Sequence, residues 1–335
     1  MILVTGGTGL VGAHLLLQLL KKEEAVTAIH RETSDLKQVK KVFSYYVDNA
    51  DELYAKINWI VADITDVPSL ENAFIGITHV YHCAALISFD PNDYFKLRRI
   101  NTKGTANIVN LCLALNIEKL AYISSIATMG KNEASPNVTE ETEWNDANVN
   151  VYALTKYAAE MEVWRGTQEG LDAVIVNPGV ILGPGYWDSG SGQFFSKTAK
   201  GLTYYPPNGT GFVSVGDVVD ACIDLMNSSI KNERYIVVAK NATFKEVLGK
   251  IASFLGKSAP HKELKIWQLN ILYRLDWLMH LITRRGRKLS KMQVNGLKSQ
   301  DIYDNKKITK ALDFTYTDID NVLKFTSEML LKEQS

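Results

Sequence analysis

Cysteine is scarce in this chain. Its 335 residues include three, Cys83, Cys112 and Cys222, scattered without the spacing of a metal site or a disulfide framework. The six histidines also form no pair at a spacing typical of metal ligands. We therefore expect no metal centre, and a reducing, cytoplasmic setting in which thiols stay free.

The sequence also lacks a charge excess and a long apolar run. Thirty-seven basic residues balance 37 acidic ones, so no overall field would recruit nucleic acid or a membrane. No apolar run reaches the ~20 residues that a bilayer-spanning helix needs. These absences predict a globular protein that binds neither nucleic acid nor a membrane, and the expected partner is the small-molecule substrate to which the motifs below point. The apolar stretch 264–282 is the only hint to the contrary.

Short apolar segments alternate with helical patterns through the first half of the chain. The segments read as strands are 2–5, 25–30, 57–62, 79–82, 120–124 and 173–177. The helical patterns are 10–22, 68–74, 94–115 and 151–167, and the poorly periodic connection 34–56 has room for a short helix. Such alternation predicts an α/β fold with a doubly wound parallel sheet.

A glycine-rich turn follows the first strand directly and opens the first helix. It reads Gly6-Gly7-Thr8-Gly9-Leu10-Val11-Gly12. Gly6 permits a tight turn, Gly9 a close approach of backbone to a pyrophosphate, and Gly12 close packing of helix on sheet. The free N–H groups of the helix then face the phosphates. The turn predicts dinucleotide binding, the alternative being a plain strand–helix connection.

Tyr152 and Lys156 are four residues apart on one predicted helix, so their side chains share a face. A free tyrosine titrates near pH ~10, and a neighbouring cation lowers that pKa. A drop of about three units needs roughly 4 kcal/mol of interaction. The pair is a candidate general acid/base. The same spacing also occurs as an ordinary pair on a helix surface.

Together these motifs resemble the extended short-chain dehydrogenase/reductases, in particular the bacterial dihydroflavonol-reductase-like and 3β-hydroxysteroid-dehydrogenase-like branch. The resemblance spans most of the chain. Besides the glycine turn and Tyr152-x-x-x-Lys156, it rests on Asp63-Ile64, His82-Cys-Ala-Ala85, Asn101-Thr-Lys-Gly-Thr105, Ser124-Ser125 with Gly130, Asn177 to Gly185, and Phe212 to Val219. It implies a Rossmann-type domain over about 1–178. A smaller, mixed substrate lobe over 179–335 would follow, with 212–238 returning to the first domain.

The resemblance also implies roles for individual residues. Tyr152 would exchange a proton with the substrate oxygen, Lys156 would lower the tyrosine pKa and hold the nicotinamide ribose, and Ser125 would donate a hydrogen bond to that oxygen. Ser125 is preferred over Ser124 by its distance from Gly130. The residues expected to bind cofactor are Gly6, Gly9, Leu10, Val11, Gly12, Arg31, Asp63, Ile64, Cys83, Ala84, Ala85, Asn101, Tyr152, Lys156, Pro178, Gly179 and Val180. For Asn101, a structural role and a proton relay both remain open. His82 is expected to line the pocket.

The end of the second strand bears on the choice of cofactor. NAD-selective relatives usually carry an acidic residue there, and this chain has Arg31. An arginine fork suits a 2′-phosphate, which predicts NADP in preference to NAD, with Lys37 assisting. Glu32 argues against this, and Arg31 pointing into solvent is the alternative.

The substrate side gives fewer signals. The segment 186–195 is rich in glycine, serine and aromatics and is a candidate substrate loop. The apolar stretch 264–282 precedes a basic cluster at 284–291. Three interpretations of the stretch compete: a helix buried in the lobe, a lid over an apolar substrate, and a membrane-surface helix flanked by cations.

Three functions fit these observations. The first is an NADP-dependent carbonyl reductase or alcohol dehydrogenase acting on a medium-sized, partly apolar ketone or secondary alcohol. The second is a nucleotide-sugar epimerase with tightly bound NAD, which uses the same side chains. The third is a non-catalytic protein that senses the cofactor. Relatives in the family also lead us to expect a homodimer formed through 94–115 and 151–167.

Overall fold

Seven parallel strands form the central sheet of the computed structural model, which describes residues 1–130, 135–146, 149–283, 294 and 301–334. The strands in chain order are β1 (Ile2–Thr5), β2 (Val26–His30), β3 (Asn58–Val61), β4 (His79–His82), β5 (Lys119–Ile123), β6 (Asn137–Val138), β7 (Ala173–Pro178), β8 (Val180–Leu182), β9 (Tyr204–Tyr205), β10 (Gly209–Ser214), β11 (Glu233–Val237), β12 (Lys240–Thr243), β13 (Lys262–Glu263) and β14 (Ile302–Tyr303). The central sheet has the order β11-β7-β5-β4-β1-β2-β3.

Helices connect these strands. They are α1 (Leu10–Lys21), α2 (Leu36–Ser44), α3 (Ala50–Ala55), α4 (Val67–Ala73), α5 (Tyr94–Leu97), α6 (Gly104–Ala114), α7 (Val151–Gln168), α8 (Gly192–Ala199), α9 (Val215–Asn227), α10 (Phe244–Phe254), α11 (Ile266–Thr283), α12 (Lys306–Leu312) and α13 (Ile319–Gln334). The connection 34–56 holds two helices, α2 and α3. The helical pattern 94–115 is divided by a π-helical stretch, Arg98–Lys103, between α5 and α6.

Burial on both faces explains why the central strands read as continuous apolar runs. Every residue of β5 and of β7 is buried, as expected for parallel strands covered by helices on each side. One apolar core includes Leu16 of α1 and Val218 of α9, and a second includes Ile108 of α6 and Val163 of α7. The predicted α/β fold with a doubly wound parallel sheet is therefore confirmed.

A smaller lobe follows the sheet. Its three strands have the order β12-β10-β8, in which β10 runs parallel to β8 and antiparallel to β12. Phe195, Phe212, Ile251 and Leu323 are all buried in its core. After α9 the chain returns to the central sheet as β11, which pairs with β7. The junction between β7 and β8 therefore connects the lobe to the carboxyl end of β7 in the central sheet.

Helix α11 is not a buried lobe helix, so that interpretation of 264–282 is wrong. Eight of its large apolar side chains are between 46% and 71% exposed, whereas Leu269 is buried. Apolar content alone cannot tell which face of a helix meets the protein, and here the packed face is narrow. The basic cluster 284–291 lies outside the described residues. Among those that are described, no helix is long and apolar enough to cross a membrane.

Candidate functional site

The predicted site residues meet at the carboxyl edge of the central sheet. The glycine turn follows β1, the segment 83–85 follows β4, and Ser124 and Ser125 follow β5. These strands are neighbours in the sheet, so their ends converge on one edge. Open α/β sheets bind ligands at this edge.

The glycine turn has the geometry of a phosphate cradle. Gly6 has φ +69°, and a Cβ there would lie 2.6 Å from the backbone nitrogen of Ala84. At Gly12 a Cβ would lie 2.1 Å from the carbonyl oxygen of Gly6. Gly9 is the N-cap of α1 and brings no side chain to cap it, so the N–H groups of the first turn stay available for an anion. The turn therefore fits the pyrophosphate of a dinucleotide.

The ends of β2 and β3 carry three of the residues expected to bind cofactor, Arg31, Asp63 and Ile64. Ala62 donates its N–H to the carbonyl oxygen of His30, which holds the two strand ends together. Arg31 is exposed at the end of β2. The Asp63 carboxylate accepts hydrogen bonds from the N–H and the hydroxyl of Thr65, at 2.8 and 2.9 Å. The Asp63 carboxylate thus stabilises the loop in which it lies. The buried Ile64 packs against Gly104 at the start of α6.

His82 does not line the pocket as predicted, because it is fully buried. Its ring hydrogen bonds with Thr5 Oγ1 at 2.6 Å and with Thr105 Oγ1 at 2.9 Å, and stacks on Tyr122. Burial lowers the pKa of His82 to about 3, so the ring is neutral. It joins β1 to β4 beneath the glycine turn. The next three residues, Cys83 to Ala85, are partly exposed at the carboxyl edge of the sheet.

Asn101 is buried within the π-helical stretch, and its amide is occupied by the protein. Its oxygen accepts the N–H of Leu86 at 2.7 Å, and its nitrogen donates to the Leu86 carbonyl at 3.0 Å and to Thr155 Oγ1 at 3.3 Å. These bonds fasten the segment after β4 to α7. Of the two roles left open by the sequence, the contacts favour the structural one.

Ser125 and Tyr152 form the centre of the site. Tyr152 lies in the first turn of α7, whose N-cap, Asn150, accepts the N–H of Ala153 at 2.9 Å. Burial raises the pKa of Tyr152 to about 12, and a hydrogen bond with Ser125 acts in the opposite direction. The positive end of the helix also favours a phenolate there. Phe89 packs edge-on against the phenol, with ring centroids 5.6 Å apart.

The ammonium of Lys156 is held by hydrogen bonds to the protein, and its predicted effect on the pKa of Tyr152 stays a prediction. Its ammonium is buried and donates to Tyr122 Oη at 2.7 Å and to the carbonyl oxygen of Ile123 at 2.8 Å. Burial lowers the pKa of Lys156 to about 7, although Glu160 raises it. The two residues share a helix face as predicted, but the lysine side chain turns towards the sheet.

Glu160 is a buried residue that the sequence interpretation missed. One carboxylate oxygen accepts hydrogen bonds from Ser124 Oγ at 2.6 Å, Thr128 Oγ1 at 2.8 Å and Asn177 Nδ2 at 2.8 Å. The other is paired with the Arg234 guanidinium at 3.1 Å. The position four residues after Lys156 on the same helix was the available signal. The carboxylate joins the ends of β5 and β7 to α7, directly beside Ser125.

The segment after β8 closes over the glycine turn. The hydroxyl of Tyr186 donates to the carbonyl oxygen of Thr8 at 2.9 Å, and Gln38 Nε2 donates to the carbonyl oxygen of Gly185. Pro178 to Val180 lie where β7 passes into β8, beside Ser125 and the lobe. The candidate substrate loop 186–195 is thus partly tied to the cofactor side, and Phe195 at its end is buried in the lobe.

Comparison with known proteins agrees with this geometry. The chain is 29% identical over 273 residues to a putative dihydroflavonol 4-reductase from Synechocystis, covering 79% of this chain and 75% of that protein. It is 29% identical over 265 residues to sterol demethylase protein B from Methylococcus capsulatus, covering 77% and 75%. UDP-glucose 4-epimerase from Thermotoga maritima, solved with UDP-glucose, has the same fold, with TM-score 0.77, 18% identity and coverage of 100% and 99%.

A family model matches residues 2–239, from β1 to just beyond β11. The match includes the glycine turn, Ser125, Tyr152 and Lys156. The chain belongs to the NAD dependent epimerase/dehydratase family.

Proposed function

We propose that the protein is an NADP-dependent oxidoreductase that interconverts a ketone and a secondary alcohol on a medium-sized, partly apolar substrate. The observation that carries this proposal is the placement of Ser125, at the end of β5, and Tyr152, in the first turn of α7, where Ser125 lowers the pKa of Tyr152 against the effect of burial. Both belong to the sheet edge that carries the glycine turn. When bound, the nicotinamide supplies or accepts the hydride.

The chain's own residues supply position and proton exchange. Ser125 Oγ donates a hydrogen bond to the substrate oxygen, on which negative charge develops. Tyr152 gives that oxygen its proton during reduction and removes it during oxidation. A protonated Lys156 stabilises the phenolate, and its pKa of about 7 makes this support depend on pH near neutrality.

Apolar contacts support the proposed substrate class. Phe89 is 41% exposed and contacts the Tyr152 ring, so it lies beside the position of the reacting carbon. The similar proteins named for dihydroflavonol and for sterol chemistry also point to ring-bearing, partly apolar substrates. We further propose that 1–178 form the cofactor domain and 179–335 mainly the substrate lobe. The free thiols fit work in a cytoplasmic setting, and we propose a homodimer.

Arg31 supports NADP over NAD. Its exposed guanidinium stands at the strand end where the 2′-phosphate of NADP would lie. We expect Arg31→Ser to weaken NADPH binding by about 10- to 100-fold, the scale of one lost charge-assisted hydrogen bond, and to leave NADH binding nearly unchanged. Fluorescence titration with each nucleotide measures this. Glu32→Gln should tighten NADPH, and a wild-type protein that prefers NADH contradicts the assignment.

A nucleotide-sugar epimerase is the second candidate. The observation in its favour is the fold shared over the full length with UDP-glucose 4-epimerase. An epimerase keeps its NAD between turnovers, whereas a reductase exchanges its cofactor. Native mass spectrometry of the purified protein separates the two: retained NAD, together with interconversion of UDP-sugars and no net NADPH consumption, establishes the epimerase.

The direct test is a screen of ketones and UDP-sugars that follows NADPH consumption, with wild type and Tyr152→Phe side by side. We expect the variant to lose most of its turnover, about 10²- to 10⁴-fold for a general acid/base, while its NADPH affinity stays within a few-fold. Tyr157→Phe is the matched control, because it makes the same substitution on the same helix, where the ring stacks on Trp144 with centroids 4.1 Å apart, and its turnover should match that of wild type. Full turnover in Tyr152→Phe contradicts the proposed chemistry.

A further inference from the structure

Helix α11 turns an apolar face to solvent. At about 100° per residue, five of its exposed side chains fall on one continuous side of the helix. This apolar stripe consists of Trp267, Ile271, Leu275, Leu278 and Ile282. Leu272 and Met279, also exposed, widen it to an arc of about 140°. The stripe runs about 22 Å along the helix at ~1.5 Å per residue.

The other side of the helix faces the protein. Leu269 is buried there, and Asp276 and His280 on the same side are half-buried. The start of the helix is anchored, because Leu264 donates its N–H to Tyr205 and β13 pairs with β9. Helices of globular proteins place the apolar side inward, so α11 is oriented in the opposite way. An exposed apolar patch of this size indicates a binding surface.

Cations flank the stripe. Lys257, Lys262 and Lys265 precede the helix and are exposed, and Arg274 is exposed within it. By sequence, five further cations follow directly: Arg284, Arg285, Arg287, Lys288 and Lys291. Trp267, at the start of the stripe, is a tryptophan, a residue that favours the boundary between lipid and water.

We propose that α11 docks on an anionic bilayer surface, lying along it with the apolar stripe inserted among the acyl chains. An anionic bilayer suits both features of this region. The stripe leaves water and enters the acyl chains, while the cations before the helix and, by sequence, after it contact the charged headgroups. A second copy of the chain is a less suitable partner, because it would bring the same cations to the contact and like charges repel. A bound substrate of medium size would cover only part of the stripe. The helix rests on the surface and does not span the bilayer.

Vesicle sedimentation of the full-length protein tests the proposal. We expect the wild type to pellet with vesicles of phosphatidylglycerol and phosphatidylcholine, much less with phosphatidylcholine alone, and less at high salt. Replacing Leu275 and Leu278 together by serine should weaken the binding at least about tenfold, because both side chains would be buried in lipid. Ile75→Ser, which changes an even more exposed apolar side chain outside α11, is the control and should bind like wild type.

Three results overturn the proposal. One is a wild type that stays in the supernatant with anionic vesicles. Another is a double variant that pellets as well as the wild type. The third is a wild-type dimer that dissociates on substitution of Leu275 and Leu278 while neither protein pellets, which assigns the stripe to a second copy. None of these results depends on turnover, so they leave the proposed oxidoreductase activity untouched.

Discussion

Among single side chains, Glu160 holds much of the candidate site together. Its carboxylate is buried, accepts hydrogen bonds from Ser124, Thr128 and Asn177, and forms an ion pair with Arg234. Burying an ionised carboxylate costs free energy unless hydrogen bonds and opposite charges compensate it, and here four partners do. The same charge raises the pKa of Lys156 against the effect of burial. Glu160 therefore has two effects: it holds the ends of β5 and β7 in place, and it favours the protonated form of Lys156.

Glu160→Gln should shift the pH dependence of reduction. Without the carboxylate, the pKa of Lys156 falls further below its present value of about 7. The lysine then loses its proton at lower pH, so the alkaline fall in kcat/KM moves to lower pH by about 1–3 units, the usual effect of one nearby charge. A pH profile with NADPH and an identified ketone measures the shift.

The control for this experiment is Glu162→Gln, on the same helix but paired with Arg165 at the surface. Its pH profile should match that of wild type. If Glu160→Gln only lowers the rate at every pH and leaves the profile in place, the carboxylate acts on structure alone.

At the level of helices and turns, the cofactor site depends on the close contact between the glycine turn and α1. Gly12→Ala would place a Cβ 2.1 Å from the Gly6 carbonyl oxygen, which forces the helix away from the turn. We expect NADPH binding to fall more than about tenfold, because the N–H groups of the first turn lose their alignment with the phosphates. Calorimetric titration with NADPH measures the loss.

Gly249→Ala in α10 is the matched control, since its added Cβ meets nothing within 4 Å. That substitution should leave binding unchanged and raise the stability by about 0.5–1 kcal/mol, because alanine loses less conformational entropy in a helix. If Gly12→Ala binds NADPH as tightly as Gly249→Ala, the turn does not hold the pyrophosphate.

The predictable elements are those with strong local patterns. The bounds of β1 and β4 agree with the predicted segments, and α7 begins at Val151 as predicted. Alternation of apolar runs and helical periods is a local signal and therefore reveals the parallel sheet. The direction of Lys156, the burial of His82 and the exposed face of α11 depend on contacts made far away in sequence. Local periodicity does not contain that information.

Across the complete chain, Asp217 joins the two parts of the structure. It is buried in the first turn of α9, which packs on the central sheet, and its carboxylate accepts the N–H and the hydroxyl of Thr317, the latter at 2.6 Å. Thr317 lies two residues before the start of α13, which packs in the lobe core. Asp217 therefore gives the segment 212–219 a structural role. Its carboxylate holds the segment that leads into α13.

Asp217→Ala should lower the stability of the whole protein without changing the affinity for NADPH. The substitution removes the hydrogen bonds between the buried carboxylate and the exposed Thr317, each of which contributes about 0.5–1.5 kcal/mol. Urea unfolding measures the decrease in the free energy of unfolding. Asp220→Ala, an exposed position on the same helix, should change it by no more than about 0.5 kcal/mol. Equal stability of the two variants would show that the lobe is held by its apolar core, with Phe212 and Leu323, and not by this carboxylate.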